Sequence, residues 1–264
     1  MKVLVTGACG NIGSAVCCQL AKQPDKYDVY TTDRRTGPRE HLLPQWTLKI
    51  EPDKFMRGDL ADLGFAQKMV SGMDCIVHMA ANASPQSEWV NILNSNLVAT
   101  YNVFEACRIE KVPHIVYASS ILATIGYGTR EPYKSVEEER YGDVPDTIAK
   151  ITHEDPPWPL QPYGASKVWG EALAKAYCTN HGMSILCIRI GCTPAKDRPI
   201  NEYRQLWCSL DDITQIIERC INAPASAGFD IFYGISDNKY CWVDLEHARE
   251  VIGYVPTRSV QEFD

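Results

Sequence analysis

Over the first two-thirds of the chain, short apolar runs alternate with longer stretches whose apolar positions recur at helical spacing. The runs at 2–6, 28–32, 75–78, 114–118 and 184–190 predict buried strands. The amphipathic stretches at 11–22, 61–71, 88–110 and 163–180 predict the helices between them. Strands that alternate with helices build right-handed βαβ units, so the chain is expected to fold as an α/β protein with a doubly wound parallel sheet. Two stretches break the pattern. Residues 125–162, with Glu154-Asp155-Pro156-Pro157 and Pro159, are rich in Gly, Pro and charge and predict a long irregular connection. Residues 191–208 also lack periodicity. Ser209, followed by Asp211 and Asp212, then makes a good helix start, with Ile213, Ile216, Ile217 and Cys220 as its apolar face. A strand at 230–233 and a short helix at 244–251 complete the pattern. The expected organisation is a large α/β domain over 1–190 and a small lobe over 191–264, packed on it as one structural unit.

Composition narrows the partners. The 264 residues carry 26 Lys and Arg against 33 Asp and Glu, a formal net charge of -7. Nucleic-acid phosphates demand a basic face, so no nucleic-acid partner is expected. The strand-like Lys2-Val3-Leu4-Val5-Thr6 leaves no room for a signal peptide after Met1, and no apolar run reaches membrane-spanning length. A cytoplasmic protein without a membrane partner is the expectation. The eleven cysteines are odd in number, scattered, and without a C-x-x-C pair. Most lie in apolar contexts, such as Cys75 before Ile76-Val77 and Cys187 between Leu186 and Ile188. They read as reduced core residues, not as disulfides or metal ligands, and no metal is expected.

Chemistry enters at the first turn. Gly7-Ala8-Cys9-Gly10-Asn11-Ile12-Gly13 follows the first predicted strand and opens the first predicted helix. Glycines admit a pyrophosphate close to the backbone, and the helix N-terminus offers free N–H donors and partial positive charge. That is the Rossmann-type layout, although the spacing is G-x-x-G-x-x-G. Asp33 ends the second predicted strand, where a carboxylate can accept bonds from both ribose hydroxyls of NAD and repel the 2′-phosphate of NADP. Arg34 and Arg35 follow it and offer an opposing, phosphate-binding reading; the strand-end carboxylate favours NAD. Gly58-Asp59-Leu60 suits the adenine, with Asp59 on its amine and Leu60 as an apolar cap. Met79, Ala80 and Ala81 are small or flexible enough to let a cofactor pass, whereas His78 reads as a packed core residue.

Tyr163 and Lys167, four apart at the start of a predicted helix, share one helical face. Ser119-Ser120 follows the predicted strand at 114–118, at the carboxyl edge where active sites of parallel sheets gather. A tyrosine is a poor base at neutral pH, but a Lys ammonium and a positive nicotinamide both favour its phenolate. Tyr163 can then take a proton from an alcohol whose carbon gives hydride to the nicotinamide, with Ser120 bonded to the reacting oxygen and Lys167 also on the nicotinamide ribose.

In this order, the motifs resemble the extended short-chain dehydrogenase/reductase family over residues 1–263, and within it the uronate dehydrogenases and related archaeal sugar dehydrogenases. The nearer likeness lies in Arg189-Ile190-Gly191-Cys192-Thr193-Pro194, in Asn201-Glu202-Tyr203-Arg204 with Trp207, and in Gly253-Tyr254-Val255-Pro256. The resemblance implies an NAD-dependent oxidoreductase acting on a sugar, sugar acid or sugar phosphate, and a homodimer paired through the helices near 88–110 and 163–180. It adds Asn96 and Ile190 to the cofactor residues, and Ser84, Ser120, Ile121, Cys192 and Arg204 to the substrate residues, the Arg204 guanidinium facing a carboxylate or phosphate. One departure stands out: Ile121-Leu122-Ala123 follows Ser120 where those enzymes carry Asn-His. A nucleotide-sugar epimerase and a non-catalytic NAD-binding protein are the competing readings.

Overall fold

The computed structural model describes residues 1–84 and 87–263. In chain order the elements are β1 (Lys2–Thr6), α1 (Asn11–Leu20), β2 (Asp28–Asp33), β3 (Phe55–Arg57), α2 (Leu63–Val70), β4 (Cys75–His78) and α3 (Trp89–Ile92). A π-helical turn (Leu93–Val98) joins α3 to α4 (Ala99–Glu110). Then come β5 (His114–Ser120), α5 (Tyr133–Glu137), α6 (Pro162–His181), β6 (Ser184–Ile190), α7 (Leu210–Ile221), β7 (Phe229–Gly234) and α8 (Glu246–Ile252). Seven parallel strands form one sheet in the order β3-β2-β1-β4-β5-β6-β7. Strand order reverses between β1 and β4, so a crevice opens at their carboxyl ends.

Alternation along the strands sorts two cores. Val3, Val5, Val77, Val116 and Ile188 face α1 and α7, whereas Leu4, Ile76, Ile115, Ile185 and Cys187 face α2, α4 and α6. Every residue of β5 and β6 is buried, as central parallel strands require. Helix α7 starts as its sequence predicts: the Ser209 hydroxyl accepts the Asp212 amide at 3.0 Å, and Ile213, Ile216, Ile217 and Cys220 are fully buried.

Four features differ from the sequence reading. The edge strand β3 has three residues, too few to show a period, and is held by pairing Thr31–Asp33 with Phe55–Arg57. The helix expected over 88–110 is interrupted by the π-helical turn. The connection expected to be irregular contains α5 and packs on its own core, in which Ile121, Ile125, Val136 and Ile151 meet Leu206, Ile235, Trp242 and Val243. The chain beyond Ile190 divides: β7 extends the sheet and α7 packs beside α1, while Leu206 and residues 235–243 belong to that third core. All eleven cysteines are unpaired, and eight are buried. No helix of the described residues is long and apolar enough to cross a membrane.

Candidate active site

The turn between β1 and α1 needs its glycines. Gly7 has a φ of 66°, and a Cβ there would lie 2.8 Å from the backbone of Ala80. A Cβ on Gly13 would lie 2.3 Å from the Gly7 carbonyl oxygen. Gly10 caps α1 without a side-chain bond, and the first turn of α1 carries no acidic residue. The amides of that turn are therefore free for an anion. Asn11 donates to the Thr193 carbonyl at 2.9 Å, while its own Oδ1 is buried without a partner. An orphaned acceptor at the mouth of an anion-binding turn suits a ligand that brings a hydroxyl or amide donor.

From this turn a cavity of about 540 Å³ runs along the carboxyl ends of β1, β2 and β4, lined by Gly7, Asp33, Arg34, Asp59, Leu60, Ala80 and Ser84 among others. Asp33 is fixed at both oxygens: Oδ2 accepts the Cys9 amide at 3.0 Å and Oδ1 the Arg35 amide at 2.9 Å. Each oxygen keeps a lone pair for a ribose hydroxyl. Arg34 stands 3.8 Å from the Asp59 carboxylate in an exposed pair. A second cavity of about 300 Å³ continues toward β5 and β6, lined by Gly10, Asn11, Ile12, Gly13, Met79, Ala81, Ser120, Tyr163, Lys167 and Ile190. Together the two make an elongated cleft with a carboxylate at one end, free helix amides in the middle and a Tyr–Lys–Ser group at the other. The residues present fit a dinucleotide.

The Tyr–Lys–Ser end is buried. Tyr163 and Lys167 lie on the first two turns of α6, and Ser120 is the last residue of β5. Burial pushes the Tyr163 hydroxyl up to about 12, with the Ser120 hydroxyl acting the other way. Burial also pulls the Lys167 ammonium down to about 7, opposed by the charge of Glu171. Lys167 donates to the Ala118 carbonyl at 2.7 Å and stands 5.7 Å from the centre of the Tyr163 ring. The arrangement can move a proton at the tyrosine oxygen and hold a cation next to it.

Several expected residues stand elsewhere. Asn96, on the π-helical turn, lies behind the cleft wall: its Oδ1 accepts the Asn82 amide at 2.7 Å, and its Nδ2 donates to the Asn82 carbonyl and the Ser166 hydroxyl. It ties the segment after β4 to α6, so its amide is spent on protein. Ile121, expected among the substrate residues, is buried in the third core and outside the linings of the two cavities. Cys192 forms a backbone bridge with Trp207, and Thr193 next to it lines the cleft instead. Arg204, half-buried in a one-turn helix before that bridge, is outside the residues lining the two cavities. His78 is a core residue, bonded to Thr6 at 2.9 Å and Thr100 at 3.2 Å. Sequence reasoning missed Arg39, which lines both cavities and has no acidic partner among the described residues. It lies in a loop without periodicity, so only its charge near Asp33 could have flagged it.

Outside the cleft, His153, Asp230 and His247 bring ligand-type atoms within 4.8 Å of one another. The two imidazoles stack at 3.9 Å with an interplanar angle of 14°. Their lone pairs lie in nearly parallel planes, so sharing an ion would require one ring to turn.

The family model described as the NAD dependent epimerase/dehydratase family matches residues 3–197. The chain is 28% identical to an NAD-dependent glucose-6-phosphate dehydrogenase of Haloferax volcanii, over 99% of this chain and 95% of that one. It is 32% identical to a uronate dehydrogenase of Pseudomonas putida, over 99% and 86%. The crystal structure of uronate dehydrogenase from Agrobacterium tumefaciens superposes with a TM-score of 0.77 at 29% identity, covering 99% of this chain and 86% of that one. With the glycine turn, the seven-stranded parallel sheet and the Tyr–Lys–Ser cleft all within the span of these matches, the chain belongs to the NAD dependent epimerase/dehydratase family.

Proposed function

We propose that this protein is an NAD-dependent dehydrogenase of a free sugar, sugar acid or sugar phosphate. The observation that carries the reading is the Tyr163–Lys167–Ser120 group at the inner end of a dinucleotide-sized cleft, in a chain that sugar dehydrogenases match over 99% of its length. NAD, when bound, supplies the hydride acceptor. The chain does the rest. The amides of the first turn of α1 receive the pyrophosphate, and Asp33 accepts the adenosine ribose hydroxyls and repels a 2′-phosphate. Tyr163, as phenolate, takes the hydroxyl proton of the substrate, Ser120 donates a hydrogen bond to the same oxygen, and the Lys167 ammonium stabilises the phenolate. Asn96 acts at one remove by fixing Ser166 on α6 and the loop at Asn82. Exposed Trp89, Val90 and Tyr101, at 56%, 51% and 44%, support a homodimer built on the α3–α4 face.

The test is NAD reduction, followed by the absorbance of the reduced nicotinamide, across neutral sugars, uronic acids, sugar phosphates and simple secondary alcohols. Turnover with one of the sugar classes is expected. Tight NAD binding with no reduction across the panel refutes the reading, and interconversion of a nucleotide sugar without net NAD reduction would establish an epimerase.

A further inference from the structure

Behind Ser120 and Lys167 lies an ion pair sealed from solvent. Glu171 is 4% exposed and Arg189 2%. The guanidinium grips the carboxylate at two points, Nε to Oε1 at 3.0 Å and an Nη to Oε2 at 2.9 Å. Ser119 adds a hydroxyl donated to Glu171 Oε1 at 2.5 Å, and the other Arg189 Nη donates to the Tyr233 hydroxyl at 2.9 Å. The residues form a row across the sheet. Ser119 of β5 is in register with Arg189 of β6, and Arg189 with Tyr233 of β7. Glu171 closes the row from α6, one helical turn beyond Lys167 and two beyond Tyr163, on the same face.

Buried ion pairs are poor stabilisers, because desolvation cancels most of the attraction and an apolar pair of equal volume does as well or better. The site is also an odd place for one unless its position matters. We infer that the Glu171–Arg189 pair is a positioning device for the Tyr163 proton transfer, locking the Ser119–Ser120 end of β5 to α6 and presenting a carboxylate to the Lys167 ammonium. This rests on the dehydrogenase reading. The groups around Lys167 leave that task to Glu171. Tyr163 shares its helix, the Tyr117 ring lies 5.1 Å away on β5, Cys187 faces it from β6, and His78 from β4. Only Glu171 among these is a carboxylate. Burial pulls Lys167 down to about 7, and Glu171 holds it up against that pull. Without the carboxylate Lys167 falls below that value and is neutral at neutral pH, and Tyr163 loses the cation that favours its phenolate.

The experiment uses the full chain with NAD bound. Ionisation of Tyr163 is followed by ultraviolet difference absorbance against Tyr163→Phe, a readout that needs no turnover, beside kcat and KM across pH. Glu171→Gln is expected to lower the Lys167 ionisation by about two units, the scale of a unit charge one helical turn away at an effective dielectric near 20, and through the lost cation to move the Tyr163 ionisation and the acid limb of kcat to higher pH by about one unit. At neutral pH kcat falls by about tenfold, with both KM values within about threefold, as for an interaction made only in the transition state. If the unpaired guanidinium keeps that variant from folding, the double change Glu171→Met with Arg189→Met exchanges the pair for apolar side chains, and a shift in the same direction, smaller because both charges leave together, is expected. A folded variant of either kind whose Tyr163 ionisation and acid limb match the wild type overturns the inference. A wild type without turnover would refute the dehydrogenase reading instead, while the ionisation measurement would still decide the role of the pair.

Discussion

Replacing Asp33 by Asn removes the charge at the far end of the cleft with almost no change in volume. In the structure Asp33 spends one lone pair of each oxygen on a backbone amide, Cys9 at 3.0 Å and Arg35 at 2.9 Å. The remaining lone pairs are those offered to the ribose. Asparagine keeps one acceptor oxygen and turns the other into a donor, which then opposes an amide and loses one ribose bond. A hydrogen bond to a charged group is worth about 1.5–3 kcal/mol and a neutral one about 0.5–1.5 kcal/mol, so losing one and weakening the other costs about 2–4 kcal/mol. Affinity for NAD should fall by about 30-fold to 1000-fold. NADP should lose less, because the repulsion of its 2′-phosphate disappears while Arg34, Arg35 and Arg39 still line the cavity. Isothermal titration with both cofactors measures the two changes, and a thermal melt separates a local loss from unfolding. A folded variant whose NAD affinity stays within about twofold of the wild type would remove Asp33 from the ribose site.

Other perturbations test the rest of the cleft. Tyr163→Phe should lower kcat by about 10³ while NAD titrations stay close to wild type, the expected share of a general base. Arg39→Ala should weaken NAD and ADP by about tenfold and leave adenosine unchanged, since a guanidinium lining both cavities is placed to meet the pyrophosphate; equal losses for all three would refute that. Gly13→Ala forces a Cβ to 2.3 Å from the Gly7 oxygen and should cost about 1–3 kcal/mol of stability, read by denaturant unfolding. His78, held down to about 3 by burial, binds fewer protons folded than unfolded between that value and the ordinary imidazole value of 6.5. Its contribution is therefore present above the unfolded value and lost as pH falls through this window, by at most about 4–5 kcal/mol. A melting temperature flat from pH 7 to pH 4, read at about one-unit steps, would contradict it.

Legibility followed physical redundancy. The strands β1, β4, β5 and β6 could be read because both faces are buried and each carries an apolar run, interrupted only at positions such as Lys2, His78, His114 and Arg189. Helix α7 could be read because Ser209, the acidic first turn and the isoleucine face agree. Three-residue β3 could not, since its existence depends on β2 beside it. In the cleft, residues tied to a motif came together: the glycine turn, Asp33, Tyr163, Lys167 and Ser120. Ile121 misled because adjacency to Ser120 says nothing about direction at the end of a strand, and there the chain turns into a short 3-10 helix that sends it to the third core. The Glu171–Arg189 pair left no local trace, because its partners are 18 residues apart and meet only across the sheet.

The third core has a consequence for how the protein breathes. The wall of chain beyond Ser120, residues 121–158 and 235–243, lies outside the cavity linings, and its apolar side chains pack on one another and on Leu206 and Tyr233. Its ties to the sheet include the Tyr233 hydroxyl, which is bonded to Thr124 at 3.4 Å and to the Thr152 carbonyl at 3.3 Å. Such a unit opens cooperatively at a lower free energy than the sheet. In native-state hydrogen exchange the amides of this wall should exchange together, ahead of those of β1, β4 and β5. A loosening of this unit leaves the glycine turn after β1 and Asp33 at the end of β2 in place.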